Sequence, residues 1–181
     1  FNRGTIRLLT GEMPEGWSDF EWRWHDQLRP PGAPTQLPKW EGSNINGKTI
    51  LLLSEQGFGD TIQFIRYAPH LQRLGAHVVV QCRKPLHRLI TSAPGVDEVR
   101  SLGQKVLADV WIPLMSLPFI FRTSEATIPA ADGYLGRIKQ KKINQKIKKI
   151  GLVWAGSANH ENDLNRSIAL DDLSPLLKLK D

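Results

Sequence analysis

Short apolar runs alternate with amphipathic segments through the middle of the chain. The run from Thr49 to Ser54 predicts a buried strand, and the near-helical spacing of apolar residues after it predicts a helix that ends at Gly75. Further strands are predicted at His77 to Cys82, Val96 to Val99 and Val106 to Ile112, with a short helix at Leu86 to Ser92. This alternation is typical of an α/β fold with a parallel sheet covered on both faces.

The flanking segments have different patterns. Residues 1–28 predict two helices with a turn at Gly11 and Pro14, and Trp17, Phe20 and Trp24 form an aromatic stripe on the second helix. Such a stripe usually packs in a core and only sometimes stacks on sugars, so we interpret it as core. Residues 29–47 are rich in proline and glycine, which predicts a linker that packs along a surface.

A second α/β unit is predicted to begin near the end of the sequence. A lysine-rich helix precedes an apolar run from Ile150 to Trp154, which predicts a strand, and a polar loop then leads to a helix over Leu170 to Leu179. The predicted organisation is therefore a helical hairpin at 1–28, a linker at 29–47, an α/β domain at 48–142 and the start of a second domain at 143–181. We expect the sequence to be a piece of a longer protein.

Composition narrows the class of protein. The 181 residues are 40% hydrophobic and 23% charged, which fits globular domains with real cores. The net charge of +6 comes largely from lysines with no aromatic residue between them, which favours a solvated helix over a nucleic-acid surface. A single cysteine, Cys82, allows no internal disulfide, and no apolar run is long enough for a membrane span. We expect a cytoplasmic protein.

The turn after the first strand carries the most informative residues. A glycine turn that opens a helix usually receives a phosphate, but Asp60 already supplies a negative charge there. The dinucleotide fingerprint also needs a third glycine, where this chain has Ile62, and an acidic residue after the second strand, where it has Gln81-Cys82-Arg83. A nucleotide-dependent oxidoreductase is therefore disfavoured.

Three segments together resemble a known family. They read Ser54-Glu55-Gln56-Gly57-Phe58-Gly59-Asp60-Thr61-Ile62-Gln63-Phe64, Gly151-Leu152-Val153-Trp154-Ala155-Gly156-Ser157 and Asn162-Asp163-x-Asn165-Arg166-Ser167. They resemble bacterial tetratricopeptide-repeat proteins that carry a heptosyltransferase-like glycosyltransferase domain of the GT-B fold, and Gly16 to Trp24 is similar to the last repeat of their array. The resemblance implies two Rossmann-like domains, the first for the acceptor and the second, of which this chain has only the opening, for a nucleotide-sugar donor.

The resemblance implies that Asp60 is the catalytic base. An inverting transfer needs a carboxylate that takes the proton from the acceptor hydroxyl as it attacks the anomeric carbon. The alternative is structural, because Asp60 followed three residues later by Gln63 is also a capping-box pattern. The two roles compete, since a carboxylate hydrogen-bonded to amides is a weaker base.

Other residues of the turn are candidates for substrate binding. Gly57 and Gly59 would let the backbone approach a substrate, or would simply permit a tight turn. Glu55 and Gln56 line the same turn and could bind acceptor hydroxyls, and Gln63 lies on the polar face of the following helix.

The loop before the last helix holds the candidates for the donor diphosphate. Arg166 matches the place where the family has a basic residue near the diphosphate, and a guanidinium can hold two phosphate oxygens. Ser157, Asn165 and Ser167 are possible hydroxyl and amide partners. Alternatively, Arg166 could form a surface ion pair with Asp163 or Asp171.

No metal or other cofactor is predicted. Glu161-x-Asp163 has the spacing of the acidic pair in metal-dependent glycosyltransferases, but no third ligand is evident and the resemblance is to metal-independent enzymes. We therefore predict the acceptor-side portion of an inverting glycosyltransferase, with a nucleotide-sugar donor and a protein or glycan acceptor. The alternative is a non-catalytic, repeat-linked binding scaffold.

Overall fold

A computed structural model describes residues 2–24, 32–129, 133–136, 150–158, 160 and 162–177. The chain divides into two compact units, Phe1–Lys139 and Gln140–Asp181. The first unit contains the helical hairpin, the proline-rich segment and the sheet together. The predicted domain boundaries, at 1–28, 29–47, 48–142 and 143–181, stay predictions.

The first unit is built on a four-stranded sheet. Its strands are β1 Thr49–Leu53, β2 His77–Cys82, β3 Glu98–Ser101 and β4 Val110–Pro113, in the order β3-β2-β1-β4. All pairings are parallel, and Ile50 of β1 aligns with Val78 of β2 and with Val110 of β4. The predicted α/β fold with a parallel, Rossmann-like sheet is confirmed.

The third and fourth strands begin later than predicted. Asp97 lies outside β3 because it caps β2, with its N–H donating to Val78 O at 3.0 Å and its carboxylate accepting from Val78 N at 2.7 Å. Val106 and Ala108 precede β4 and pack against one face of the sheet as part of the connection that leads to it. Apolar character alone did not distinguish these residues from strand residues.

Short helices occupy most of the connections. The α-helices are α1 Asn2–Leu9, α2 Met13–Phe20, α3 Phe58–Phe64, α4 Ala68–Arg73, α5 His87–Ile90, α6 Leu117–Ile120 and α7 Ser174–Leu177. Single 3-10 turns lie at Glu21–Trp24, Ile65–Tyr67, Lys84–Leu86, Leu114–Ser116, Glu125–Thr127, Asp163–Asn165 and Leu170–Leu173. Of the helices within these described residues, none has both the length and the apolar character that a bilayer crossing demands.

The helix predicted after β1 is present but is interrupted. Helices α3 and α4 are joined by the 3-10 turn Ile65–Tyr67, because Pro69 has no N–H to continue the α-helical ladder. Gly75 ends α4 as predicted, with a φ of 82° in the left-handed region.

The two faces of the sheet are covered differently. Ile50, Leu52 and the matching residues of β2 and β4 pack in a large cluster with the helices. The opposite face is smaller and carries Leu51, Leu53, Val79 and Trp111, against which the proline-rich segment packs through Ala33 and Leu37. The connection from β3 to β4 contains no helix, so loop and linker cover this face.

The proline-rich segment also closes the β4 edge of the sheet. Trp111 N donates to Pro38 O at 3.1 Å, and Trp40 N donates to Trp111 O at 2.8 Å. Lys39 and Trp111 thus form a parallel bridge beside β4, and Pro113 has no N–H to offer a further strand. The predicted linker therefore serves as an edge cap.

Helices α1 and α2 form the predicted hairpin. A Cβ on Gly4 would lie 2.7 Å from Phe20 N, so the helices cross closely at this glycine. Asp19 joins them, since its carboxylate accepts hydrogen bonds from the guanidinium of Arg3 at 2.5 and 2.6 Å and from that of Arg7 at 2.8 Å.

The predicted strand at 150–154 is wrong. These residues form no regular structure, and Ile150 and Val153 are 84% and 94% exposed. A buried parallel strand needs neighbouring strands, and the described residues of the second unit contain no other strand. The predicted helix over 170–179 is observed as a 3-10 turn and α7, while its last two residues and the lysine-rich helix lie outside the described residues.

Candidate functional site

The β1–α3 turn, residues Gln56 to Asp60, lies at the carboxyl end of β1. This strand is central, with β2 on one side and β4 on the other. Residues 56–59 are exposed and Asp60 is half-buried, so a ligand could reach both backbone and side chains. In open parallel sheets, ligands bind outside the carboxyl ends of the strands.

Asp60 has a different place in the helix from the one predicted. Helix α3 begins earlier, with Gly57 as its N-cap, so Asp60 is the third helical residue. Its Oδ2 accepts a hydrogen bond from Gly57 N at 2.8 Å, which is half of a capping box because glycine has no side chain to return the bond. The predicted pairing of Asp60 with Gln63 as a capping box is therefore corrected, and Gln63 lies exposed on α3.

The second carboxylate oxygen of Asp60 is not used structurally. Across the described residues, Oδ1 of Asp60 accepts no hydrogen bond and the carboxylate forms no ion pair. One oxygen is thus fixed while the other is available to a ligand.

The strained residue of the turn is not a glycine. Gln56 has a φ of 54°, whereas Gly57 has a φ of −90° and Gly59 is absent from the left-handed region. A Cβ at Gly59 would meet no atom within 4 Å, and a Cβ at Gly57 would lie 3.1 Å from Asp60 Oδ2. Neither position therefore needs glycine for a left-handed conformation. Close approach of a ligand to the backbone is an alternative explanation for Gly59.

Glu55 does not line the turn as predicted. Its side chain is only 3% exposed and is paired with Arg23, whose Nη2 lies 2.8 Å from Oε1. The backbone N–H of Met115 also donates to Oε1 at 3.1 Å. Burial raises the pKa of the Glu55 carboxyl, while Arg23 and the Met115 N–H oppose this effect. Glu55 is thus engaged inside the protein and does not offer its oxygens to an acceptor.

Phe58 in the turn and Arg83 beside it were missed as site residues in the sequence. The ring of Phe58 is 43% exposed, and the guanidinium carbon of Arg83 lies 5.6 Å from its centroid. Arg83 follows β2, so parallel pairing brings it to the same edge as the turn. The position of Phe58 between two glycines was a signal that the sequence offered. No local pattern pointed to Arg83, which is distant in the sequence.

The four predicted donor-side residues fall in one loop of the second unit. Ser167 Oγ accepts from Gly156 N at 2.9 Å and donates to the Asp163 carboxylate at 2.7 Å. Asn165 Nδ2 donates to Asn162 Oδ1 at 2.5 Å, and the backbone oxygen of Ser157 accepts from His160 N at 2.9 Å. Ser167 therefore closes the loop.

Arg166 is exposed on this loop. It forms no ion pair with Asp163 or Asp171 within the described residues, so the surface-pair alternative is not observed. Glu161, the partner of Asp163 in the proposed acidic pair, lies outside the described residues. Among those that are described, no group of three potential metal ligands comes together.

Two cavities lie away from the turn. One, of about 660 Å³, lies on the smaller sheet face beside Leu51 and Gln81, and one of about 440 Å³ lies between Ser18 and Phe119. Neither cavity is lined by residues of the β1–α3 turn, which lies on the surface of the first unit.

Part of the chain is similar to part of a known protein. Part of the chain is 36% identical over 74 residues to Protein FlbA of Caulobacter vibrioides, and the match covers 39% of this chain and 12% of FlbA. No protein-family model matches the chain, and no solved structure matches it either.

Proposed function

We propose that this chain is the acceptor-side portion of an inverting glycosyltransferase, with Asp60 as its general base. The observation that carries the proposal is the half-used carboxylate of Asp60 at the carboxyl end of the central strand. Its Oδ2 is held by Gly57 N at 2.8 Å, and its Oδ1 accepts no hydrogen bond from the described residues. The sequence resemblance to heptosyltransferase-like proteins supports the reaction class.

The proposed reaction is a single displacement. Oδ1 of Asp60 takes the proton of an acceptor hydroxyl while the oxygen attacks the anomeric carbon of the donor sugar. The bond from that carbon to the nucleoside diphosphate breaks, and its electron pair leaves with the phosphate oxygen. The open space at Gly59 supports close approach of the acceptor to the backbone.

The donor side of the proposal rests on the loop of the second unit. Arg166 carries a guanidinium that forms no ion pair within the described residues, and it would stabilise the charge that develops on the leaving diphosphate. Asn165 and Ser157 would supply further donors, while Ser167 keeps the loop closed. The proposed reaction uses no metal, and its partners are a nucleotide-sugar and a protein or glycan acceptor in the cytoplasm.

A non-catalytic binding scaffold is the second candidate. One observation favours it: the Asp60 carboxylate already has a structural role as a helix cap, which explains its presence without chemistry. The two candidates differ in whether loss of the charge abolishes a reaction.

Transfer should be assayed with the full-length protein and a panel of UDP-, GDP- and ADP-linked sugars. Product would be followed by mass spectrometry. We expect Asp60→Asn to lose most transfer while remaining folded. Asp109→Asn is the matched control. The Asp109 carboxylate also accepts a hydrogen bond from a backbone N–H, that of Thr49 at 2.7 Å, but it does so at the amino end of β1, away from the turn. Full turnover by Asp60→Asn would refute Asp60 as base, and absence of any sugar-nucleotide binding would favour the scaffold.

A further inference from the structure

We propose that Arg23 of the helical hairpin positions the β1–α3 turn, so that the hairpin is a working part of the acceptor site. This inference rests on the function proposed above, because it assigns a role to the turn that carries Asp60. It concerns how the turn is held, and it does not make Arg23 a catalytic residue.

Arg23 is a buried arginine whose hydrogen-bonding capacity is filled. Its side chain is 4% exposed. Nε and Nη2 donate to the two oxygens of Glu55 at 3.4 and 2.8 Å. Nη2 also donates to Ser116 Oγ at 2.8 Å, and Nη1 donates to Phe20 O and to Glu21 Oε1 at 3.2 and 2.7 Å. A guanidinium has five N–H donors in a rigid fork, so all of them are satisfied here.

The position of Arg23 is fixed from several sides. Its Cζ lies 4.7 Å from the ring centroid of Phe20 and 5.1 Å from that of Trp24, both in the same hairpin segment. Glu21, which it also binds, accepts from Lys39 Nζ at 3.1 Å and from Ser116 Oγ at 3.0 Å. Two acidic and two basic side chains therefore balance their charges in one network.

Glu55 transmits this arrangement to the turn. It follows β1 closely and immediately precedes Gln56, whose φ of 54° starts the turn in a left-handed conformation. Its carboxylate is also bound by Met115 N, which follows β4, at 3.1 Å. The carboxylate thus joins the hairpin, the end of β1 and the end of β4.

A left-handed non-glycine residue persists only where surrounding contacts impose it. Because Glu55 is held by Arg23 and Met115, the backbone enters Gln56 in a fixed direction, and Gly57 N is brought to 2.8 Å from Asp60 Oδ2. Without Arg23, Glu55 would be a buried carboxylate that has lost its cation, and it would turn toward solvent or bind a proton. Either change would release the turn.

The test compares the contact of Arg23 with Glu55 and the contact of Asp19 with two arginines inside the hairpin. Arg23→Met and the milder Arg23→Lys remove or weaken the contact with Glu55, whereas Asp19→Asn weakens the contact with Arg3 and Arg7, which does not touch the turn. The readout is the position and the water-exchange rate of the Gly57 and Gly59 amide signals in nitrogen-15 NMR spectra of the 181-residue chain.

We expect the Gly57 amide to exchange about tenfold faster in the Arg23 variants, as for a lost hydrogen bond to a charged group. Both glycine signals should move in these variants, and neither should change in Asp19→Asn. Unchanged glycine signals in folded Arg23→Lys would overturn the proposal, and so would equal changes in Asp19→Asn. If Arg23→Met does not fold, Arg23→Lys decides the question.

Transfer kinetics separate this inference from the proposed function. If the protein transfers sugar, the Arg23 variants should lower kcat more than they raise KM, because the base is displaced while the substrate contacts remain. If no variant and no wild-type protein transfers sugar, the proposed reaction fails, but the NMR comparison still tests whether Arg23 holds the turn.

Discussion

The Asp60 carboxylate accepts a 2.8 Å hydrogen bond from the backbone N–H of Gly57, three residues before it. The side chain proposed for proton transfer therefore also fixes the first turn of α3. A carboxylate in this position is favoured twice, by the bond itself and by the helix dipole.

We predict that Asp60→Ala lowers the free energy of unfolding by about 1 kcal/mol, the usual net value of an intramolecular hydrogen bond. Asp60→Asn should cost less, because its amide oxygen can still accept from Gly57 N. Urea unfolding followed by tryptophan fluorescence would measure both. An alanine variant as stable as wild type would mean that the cap contributes nothing, and the structural explanation of Asp60 would lose its basis.

Gly59 allows the structural and functional roles of the turn to be separated. Gly59 lies in the first turn of α3 and a Cβ there meets no atom within 4 Å. Gly59→Ala should therefore raise the free energy of unfolding by up to about 1 kcal/mol, because alanine favours the helix. If an acceptor approaches this backbone, the same variant should bind it more weakly, as seen in a raised acceptor KM. Gly57→Ala is the comparison, since its Cβ would lie 3.1 Å from Asp60 Oδ2 and should disturb the cap.

An unchanged acceptor KM in Gly59→Ala would contradict the proposed approach. A loss of stability would contradict the conformation described for the turn.

How far the sequence could predict this structure depended on the range of the interactions. The apolar runs at Thr49–Leu53 and His77–Cys82 were sufficient to predict β1 and β2, because strands buried on both faces have a continuous apolar pattern. The start of α3 was misplaced because Gly57 has no capping side chain, and the acidic Asp60 three residues later looks like a cap itself. The local pattern therefore identified the turn but did not show at which residue α3 begins.

Longer-range contacts were beyond prediction. The partner of Glu55 is Arg23, 32 residues away, and no local pattern connects them. Residues 150–154 have the composition of a buried strand, but composition does not reveal whether neighbouring strands exist. The sequence also does not show that Asp60 in the turn is accessible whereas Glu55 is buried in an ion pair with Arg23.

Two carboxylates should give the stability opposite dependences on pH. The hydrogen bond from Arg3 is the main cause that lowers the pKa of Asp19, with Arg7 adding to it. The stability that this provides is present above the ordinary pKa of about 4 and is lost as the pH falls through the lowered value. Burial raises the pKa of Glu55, so its contribution is present below about 4 and declines as the pH rises through the raised value.

We therefore expect the cost of Asp19→Asn to be constant above about pH 4 and to shrink as the pH falls below that value. The cost of Glu55→Gln should instead shrink as the pH rises above about 4. Free energies of unfolding in urea at several pH values would give both curves. Parallel curves for the two variants would show that one of the two carboxyls titrates in the opposite sense.

Cys82 provides a reporter of opening at the carboxyl end of β2. It is a free, fully buried thiol at the end of that strand, and burial raises its pKa to about 11 from 9.0. At pH 8 this shift alone lowers the thiolate fraction about a hundredfold, since each pKa unit is a factor of ten. Burial also blocks the reagent.

We predict that dithionitrobenzoate labels Cys82 more than about a hundredfold more slowly in the native chain than in urea, with a rate that follows global unfolding. The control is the same measurement on Arg23→Lys. That variant should release the β1–α3 turn, but its labelling should change only in proportion to its overall stability. Fast labelling of the native wild type would show that the end of β2 opens locally. Arg83, which follows β2 and contacts Phe58, would then stand on a mobile strand end, and the carboxyl edge of the sheet would not be the rigid platform that the proposed site requires.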